Sequence, residues 1–283
     1  MAVTTAYDGL APRWDAAAGM VYRPLARSLV AASPVALAGR LVLDAGSGTG
    51  AVAQAAAARG ARVVAADRSC GMLSYGSGRG WPAVAADVLA LPLRDGRFDA
   101  AVAGFLLNHL PPVPALAELA RVVRPGGVVL ASTWAGGRRD PVKAAADAVL
   151  CSWGWVPPAW YQEMQRQLEQ ISGNPERLAA TARQAGLVSV RAWVHREDLG
   201  LLRPHAVVAY RLALPHIAPW EGKLDAPARA ELVRQAVGAV GPHVQEWRPS
   251  VIMLAGRVRR QSSREASQRQ ASQRPASRSS ALT

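Results

Sequence analysis

Cysteine is close to absent from this chain. Cys70 and Cys151 are the only two in 283 residues, far apart, with no C-x-x-C pair and no paired histidines beside them. That excludes a disulfide framework and a structural zinc site, so no metal is expected and the thiols read as buried or incidental. Lysine is just as scarce, since only Lys143 and Lys223 among the 33 basic residues are not arginine. Such a skew reflects the base composition of coding DNA as readily as it reflects binding. Long hydrophobic runs are missing too: no uncharged apolar stretch reaches 18 residues, and Met1-Ala-Val-Thr-Thr-Ala-Tyr-Asp has no basic segment leading into an apolar one. A cytoplasmic protein with no membrane partner is the expectation.

The net charge of +13 invites a nucleic-acid partner, but its distribution weighs against one. From Arg257 to Thr283 seven arginines face only Glu265, so this stretch carries +6 and the remainder about +7. The stretch is Arg, Ser, Gln and Ala with an imperfect repeat, Ala266-Ser-Gln-Arg and Ala271-Ser-Gln-Arg. It holds too little apolar surface to offset its ordering entropy, and 260–283 reads as a disordered basic tail.

What is present is concentrated in Leu41-Val-Leu-Asp-Ala-Gly-Ser-Gly-Thr-Gly50. A short apolar strand ends in an acid and then in Gly46, Gly48 and Gly50, which can take positive φ and admit a ligand to the backbone. The apolar-periodic run 51–58 sets a helix N-terminus behind them. The loosest dinucleotide fingerprint, G-x-G-x-x-G/A, fits. Asp44 argues against it, because a carboxylate there would sit beside a pyrophosphate. The same carboxylate suits a cofactor carrying an ammonium and a sulfonium.

Asp44-Ala-Gly-Ser-Gly-Thr-Gly50 resembles motif I of the class I S-adenosylmethionine-dependent methyltransferases, in particular their small-molecule, ubiquinone-biosynthesis-like branch. Further checkpoints follow in order. Ala61-Arg-Val-Val-Ala-Ala-Asp67 is a strand ending in an acid about 20 residues beyond the glycines, where a carboxylate accepts both ribose hydroxyls. Val84-Ala-Ala-Asp87 is similar to the family's third strand. The resemblance implies that Asp87 meets the adenine amino group and that the Val88 backbone lies near the ring, with Ser47 and Arg68 also at the cofactor. Arg97 to Gly104 forms a fourth strand, and the loop from Phe105 to Pro112 covers the methionine portion. Then 115–123 reads as a helix, Arg124-Pro-Gly-Gly127 as a stop signal, and 128–132 as a strand. The specific resemblance spans 36–135; residues 1–35 and 136–259 match only in general layout.

Tyr7-Asp-Gly-Leu-Ala-Pro-Arg-Trp-Asp15 resembles the segment that forms a helical flap before motif I in this family. Tyr7, Trp14 and Tyr22, with Arg23, then line the entrance, or else serve as satellite packing. Beyond Trp134 the alternation stops. Helices are expected over 140–150, 162–171, 175–186, 204–220 and 226–240, and strands over 187–195 and 249–258. The loop 151–161 carries Trp153, Trp155, Trp160 and Tyr161. These rings either enclose a flat acceptor or staple a helical lid to the sheet. The fold class is therefore α/β, a Rossmann-like doubly wound seven-stranded sheet with a helical cap insertion: 1–35 is the N-terminal flap, 36–135 the cofactor-binding core, and 136–259 the helical cap and the C-terminal part of the same α/β domain.

Methyl transfer from a sulfonium is an in-line displacement that asks mainly for alignment and exclusion of water. Where the acceptor must lose a proton, a neutral histidine is the natural base. His109 follows the fourth strand and is the leading base, although the family carries His there in structural and cofactor-touching roles too; His195, His205 and His216 follow. The expected acceptor is a small aromatic metabolite, indole- or phenol-like, methylated on O, N or C, and the enzyme can be a homodimer. RNA or protein methylation is the alternative, opposed by the absence of an Asn-Pro-Pro-Tyr or Asp-Pro-Pro-Tyr motif. A non-catalytic cofactor-binding scaffold is the alternative of another class.

Overall fold

The computed structural model describes residues 7, 9–137 and 140–260. The expected tail beyond Arg260, Asp8 of the flap motif and the six residues before Tyr7 lie outside them. The chain opens with α1 (Ala11–Arg13), a π turn (Trp14–Ala18) and α2 (Gly19–Ala31) in one continuous helical stretch. There follow β1 (Leu41–Ala45), α3 (Ala51–Ala57), β2 (Arg62–Asp67), α4 (Cys70–Ser77), β3 (Ala83–Ala85), β4 (Phe98–Gly104), α5 (Pro112–Val122) and β5 (Val123–Trp134). The second half comprises α6 (Pro141–Ser152), α7 (Ala159–Gln167), α8 (Pro175–Gln184), β6 (Leu187–Arg196), α9 (Pro204–Leu212), α10 (Ala218–Glu221), α11 (Ala226–Val244) and β7 (Ser250–Val258).

The seven strands form one sheet in the order β3-β2-β1-β4-β5-β7-β6. The first five run parallel, and β7 inserts antiparallel to both β5 and β6. Period-two alternation sorts the strand side chains between two cores. Val42, Ala100, Val102, Val128 and Leu130 point to a face covered by Leu25 and Leu29 of α2, Val52 of α3 and Leu232 of α11. Leu43, Ala101, Ala103, Val129 and Ala131 point to the opposite face, under Leu116 and Leu119 of α5 and Leu178 of α8. Strands buried on both sides read as continuous apolar runs, which is why β1, β4 and β5 carry Val, Leu and Ala almost throughout.

Parallel strands deliver all their carboxyl ends to one edge. The order reverses between β1 and β4, the switch point at which open α/β sheets leave a ligand crevice.

Three local expectations are corrected. Arg124-Pro-Gly-Gly127 does not precede β5 but bulges within it: Phe98 pairs with Val123 and Ala100 with Val128, so Asp99 alone faces the four residues. A Cβ on Gly127 would lie 2.6 Å from the Asp99 carbonyl, and Asp99 accepts from Arg124 Nε at 2.7 Å and from the Leu41 N–H at 2.8 Å. The helix expected over 204–220 breaks after Leu212, because Pro215 cannot donate to the ladder and disfavours helix at the preceding residue. Cys70 and Cys151 are exposed free thiols, which removes the buried reading and leaves the incidental one.

Candidate active site

A cavity of about 1010 Å³ runs along the carboxyl edge of the sheet, from Asp87 beyond β3 past the ends of β2, β1, β4 and β5 to α6, α7 and α9. That volume is at the upper end for a single-ligand pocket, with room for a cofactor and a small acceptor.

The end near β1 and β2 is built from the glycine loop. Gly46, Gly48 and Gly50 all have positive φ, at 68°, 53° and 88°. At Gly46 a side chain would also collide, its Cβ falling 2.6 Å from Leu106 Cδ1. Asp67, at the end of β2, holds the loop open: Oδ2 accepts the Gly48 N–H at 2.7 Å and Oδ1 the Ser69 N–H at 2.8 Å. Each carboxylate oxygen has a second lone-pair site, so Asp67 can still receive two hydroxyl donors. Asp44 is 1 % exposed; its Oδ2 accepts the Ala53 N–H at 2.8 Å and its Oδ1 has no partner. Burial pushes the Asp44 carboxyl up to about 7, with the neighbouring Asp67 adding to the rise, and burial raises Asp67 as well. Two carboxylates held above their ordinary range, one with an orphaned oxygen, make a site that a cationic ligand would relieve. This donor set fits the ammonium and ribose of S-adenosylmethionine.

Most of the residues singled out from sequence meet in this cavity. Asp44, Gly46, Ser47, Gly48, Asp67, Arg68, Asp87, Val88 and Phe105 line it. Asp87 accepts the Leu89 N–H at 2.9 Å and pairs with Arg68 at 3.5 Å. Gly50 does not line it; it caps α3, and a Cβ there would strike Trp81 at 2.5 Å. Its role is therefore in the turn rather than in ligand contact.

The N-terminal stretch supplies an aromatic wall. Trp14 stacks on Tyr22 at 4.9 Å, Tyr22 meets Phe105 edge-on at 5.0 Å, and Phe105 packs on Trp134 at 4.8 Å. The stretch is latched to the glycine loop by Asp15, which receives Arg23 at 2.8 Å and Arg79 at 2.6 Å while Arg79 also donates to the Thr49 carbonyl. Those arginines hold the Asp15 carboxyl below its ordinary value despite its burial. Tyr7 Oη lies 3.2 Å from His109 Nε2. Burial lowers His109 to about 4 and raises the Tyr7 hydroxyl, so both stay neutral near pH 7. Where Nε2–H donates to Tyr7, His109 Nδ1 is a free acceptor, and it has no partner.

The tryptophan-rich loop divides. Trp160 and Tyr161 reach the cavity, whereas Trp153 and Trp155 do not. Trp153 Nε1 donates to Gln235 Oε1 at 2.8 Å, and the buried Trp155 donates to the His216 carbonyl at 3.1 Å. Placing those two in the acceptor pocket is thereby corrected: their polar handles are satisfied by α11 and by the 213–217 turn, and they staple the cap. Of the other histidines, His195 pairs with Glu197 and His205 is exposed, both away from the cavity, while His216 lines it.

Sequence reasoning passed over Asn108, Ser132 and Arg211. All three are buried, line the cavity and carry a polar atom without a partner. The available signal was positional: Asn108 precedes His109 after β4, Ser132 sits near the carboxyl end of β5, and Arg211 is a charge inside the apolar run of α9.

Residues 43–131 match the family described as "Methyltransferase domain". The chain is 34 % identical over 216 residues to a demethylmenaquinone methyltransferase of Thermobifida fusca, covering 68 % of this chain and 86 % of that one. It is 30 % identical over 238 residues to the enzyme of that name from Renibacterium salmoninarum, covering 79 % and 94 %. Among solved structures, a SAM-dependent methyltransferase of Thermotoga maritima aligns over 88 % of this chain and 94 % of its own, with a TM-score of 0.53 at 16 % identity. A phosphoethanolamine N-methyltransferase of Haemonchus contortus, bound to S-adenosylhomocysteine, aligns over 89 % and 60 % with a TM-score of 0.52 at 15 % identity. The sheet order, the glycine loop with its two carboxylates and these matches agree: the chain belongs to the class I S-adenosylmethionine-dependent methyltransferases that act on small molecules.

Proposed function

We propose that this methyltransferase acts on a small aromatic ring bearing oxygen substituents, a phenol or a reduced quinone. The observation that carries the reading is the aromatic enclosure beyond the glycine loop, where Trp14, Tyr22, Phe105, Trp134, Trp160 and Tyr161 wall one cavity. Flat apolar walls with polar rims favour a flat ring and keep water from the transferring group. The names of the demethylmenaquinone methyltransferase relatives support a quinone-related acceptor.

S-adenosylmethionine, when bound, supplies a methyl on a sulfonium whose departure leaves a neutral thioether. The chain's own residues do the rest. Asp44 and Asp67 would hold the donor through its ammonium and ribose, and Asp87 with the Val88 backbone would receive the adenine. The loop after β4 carries Phe105 and His109 to the cavity wall. His109 Nδ1 takes the proton that the acceptor loses when its oxygen or ring carbon gains the methyl. A base held near 4 is weak, yet sufficient, because the proton leaves a centre made acidic by the gain of methyl.

The test is incubation with methyl-labelled cofactor and a panel of phenols, naphthols, reduced quinones, indoles, aliphatic amines and aliphatic acids, read by mass spectrometry. Label on ring-oxygenated aromatics is the expected result. Label only on aliphatic amines or acids would overturn the reading.

A further inference from the structure

At the far end of the cavity lies an ion cluster that the donor chemistry does not use. Arg211 on α9 is 5 % exposed, and its NH2 donates to Asp147 of α6, whose other oxygen takes Lys143 Nζ at 2.9 Å. One carboxylate thus serves two cations. Both cations line the cavity, and Asp147 stands behind them. A guanidinium carries five N–H donors, and Arg211 Nε–H, although buried, has no hydrogen-bond partner. Leaving such a donor dry and unpaired is costly, so its retention at a cavity wall points to a ligand that completes it.

His216 stands beside it. Its ring stacks on Tyr161 at 3.7 Å and 10°, its carbonyl receives Trp155 Nε1–H, and its Nε2 has no partner. Burial and the charges of Arg211 and Lys143 keep the ring neutral, and the acid on the same wall, Asp140, is already engaged by the Lys143 N–H and by Trp247 Nε1. The Pro215 turn that ends α9 is what brings His216 to the wall.

We infer that Arg211 and His216 form an oxyanion subsite: Arg211 Nε–H and His216 Nε2–H receive an ionised oxygen substituent of the methyl acceptor, with Lys143 adding positive charge. The inference rests on the cavity beyond Phe105 being the acceptor pocket. It adds that the acceptor is anionic at the end remote from the glycine loop, which orients the ring toward His109. A guanidinium that merely tied α9 to α6 would give no preference for an anion.

The full chain, saturated with S-adenosylhomocysteine, is titrated with 2-naphthoate, 2-naphthamide, cyclohexanecarboxylate and cyclohexanecarboxamide. Naphthoate should bind at least about tenfold more tightly than naphthamide. Arg211→Gln should erase that ratio and Arg211→Lys keep part of it, with cofactor affinity unchanged in both. Equal binding of naphthoate and naphthamide to the wild type overturns the subsite while leaving the aromatic reading intact. A preference confined to cyclohexanecarboxylate supports the subsite and overturns the aromatic reading, and absence of binding by all four overturns both. Should Arg211→Gln fail to fold, the acid-to-amide ratio of the wild type and its change in His216→Ala decide the matter.

Discussion

Replacing Asp44 with Asn separates what the buried carboxylate does for the fold from what it does for the cofactor. The carboxyl moves from an ordinary 3.8 to about 7 because burial penalises its charge. At about 1.4 kcal/mol for each factor of ten, the ionised form costs the empty protein roughly 4 kcal/mol at pH 8. The folded-state value lies above the unfolded one, so the fold holds the proton more tightly. The stabilisation that follows is complete below about pH 4 and is lost as pH rises through 7. Asparagine keeps the acceptor for the Ala53 N–H and removes the titration. Asp44→Asn should therefore be more stable than wild type at pH 8, by up to ~4 kcal/mol in urea denaturation of the cofactor-free protein, and the difference should shrink toward pH 5. Binding should change the opposite way. The ammonium of S-adenosylhomocysteine prefers the ionised carboxylate, so wild-type affinity should climb between pH 5.5 and 7.5, and calorimetry in buffers of different ionisation heat should show proton release. The substitution should weaken binding by about tenfold or more and abolish the proton release. Wild-type affinity that is flat over this range, or Asp44→Asn binding as well as wild type, would refute the reasoning.

Gly50→Ala should lower the melting temperature more than Gly48→Ala. Both force a left-handed residue, at roughly 1–2 kcal/mol, but only at Gly50 does the new Cβ meet a tryptophan, at 2.5 Å against 3.7 Å to Met72 Cε at Gly48. Gly48→Ala, on the cavity wall, should be the one that weakens S-adenosylhomocysteine binding in a titration. Asp15→Asn removes the latch to Arg23 and Arg79; with those arginines 37 % and 27 % exposed, the loss should be roughly 1–2 kcal/mol of stability. The Asp15 carboxyl is held below its ordinary value, so the difference between variant and wild type should hold above that value and vanish as pH falls through it; the KM for cofactor should rise. His109→Gln should lower kcat by about a hundredfold once an acceptor is known, with S-adenosylhomocysteine affinity unchanged; a kcat within threefold of wild type would remove His109 from the proton path. Because His109 is held near 4, no acid limb above pH 5 should trace to it in the wild-type profile.

The donor half was legible because its chemistry is written in contiguous sequence. A strand fully buried on both faces must be apolar, a chain that turns under a ligand must spend glycines at positive φ, and the acids sit where β1 and β2 end. Each of those constraints acts within a few residues. The Arg124-Pro-Gly-Gly127 stretch shows the limit of such reasoning. Proline and glycine announce a break in regular structure, but whether the break lies before a strand or inside it depends on Asp99, which is 25 residues away in sequence and accepts from Arg124.

The acceptor half depends on such distant pairings throughout. Four tryptophans and tyrosines clustered in 151–161 look alike in sequence, yet Trp153 and Trp155 differ from Trp160 and Tyr161 only in what their rings meet. Gln235 and the His216 carbonyl claim the first two, and the cavity takes the others. Arg211 is the sharper case. Read along α9 it is a lone charge in an apolar helix, which a surface position would explain; its burial, its carboxylate on α6 and its empty Nε appear only once α6 and α9 are packed. The break at Pro215 then matters more than the helix it ends. A continuous helix over 204–220 would hold residue 216 in the α9 ladder, whereas the turn lets the ring stack on Tyr161 at the cavity wall. The glycine-loop half of the cavity is shaped by backbone geometry that a short motif can encode, while the other half is walled by side chains gathered from α6, α7, α9, the end of β5 and the turn at Pro215, and that difference is why one half of the cavity could be read in order and the other could not.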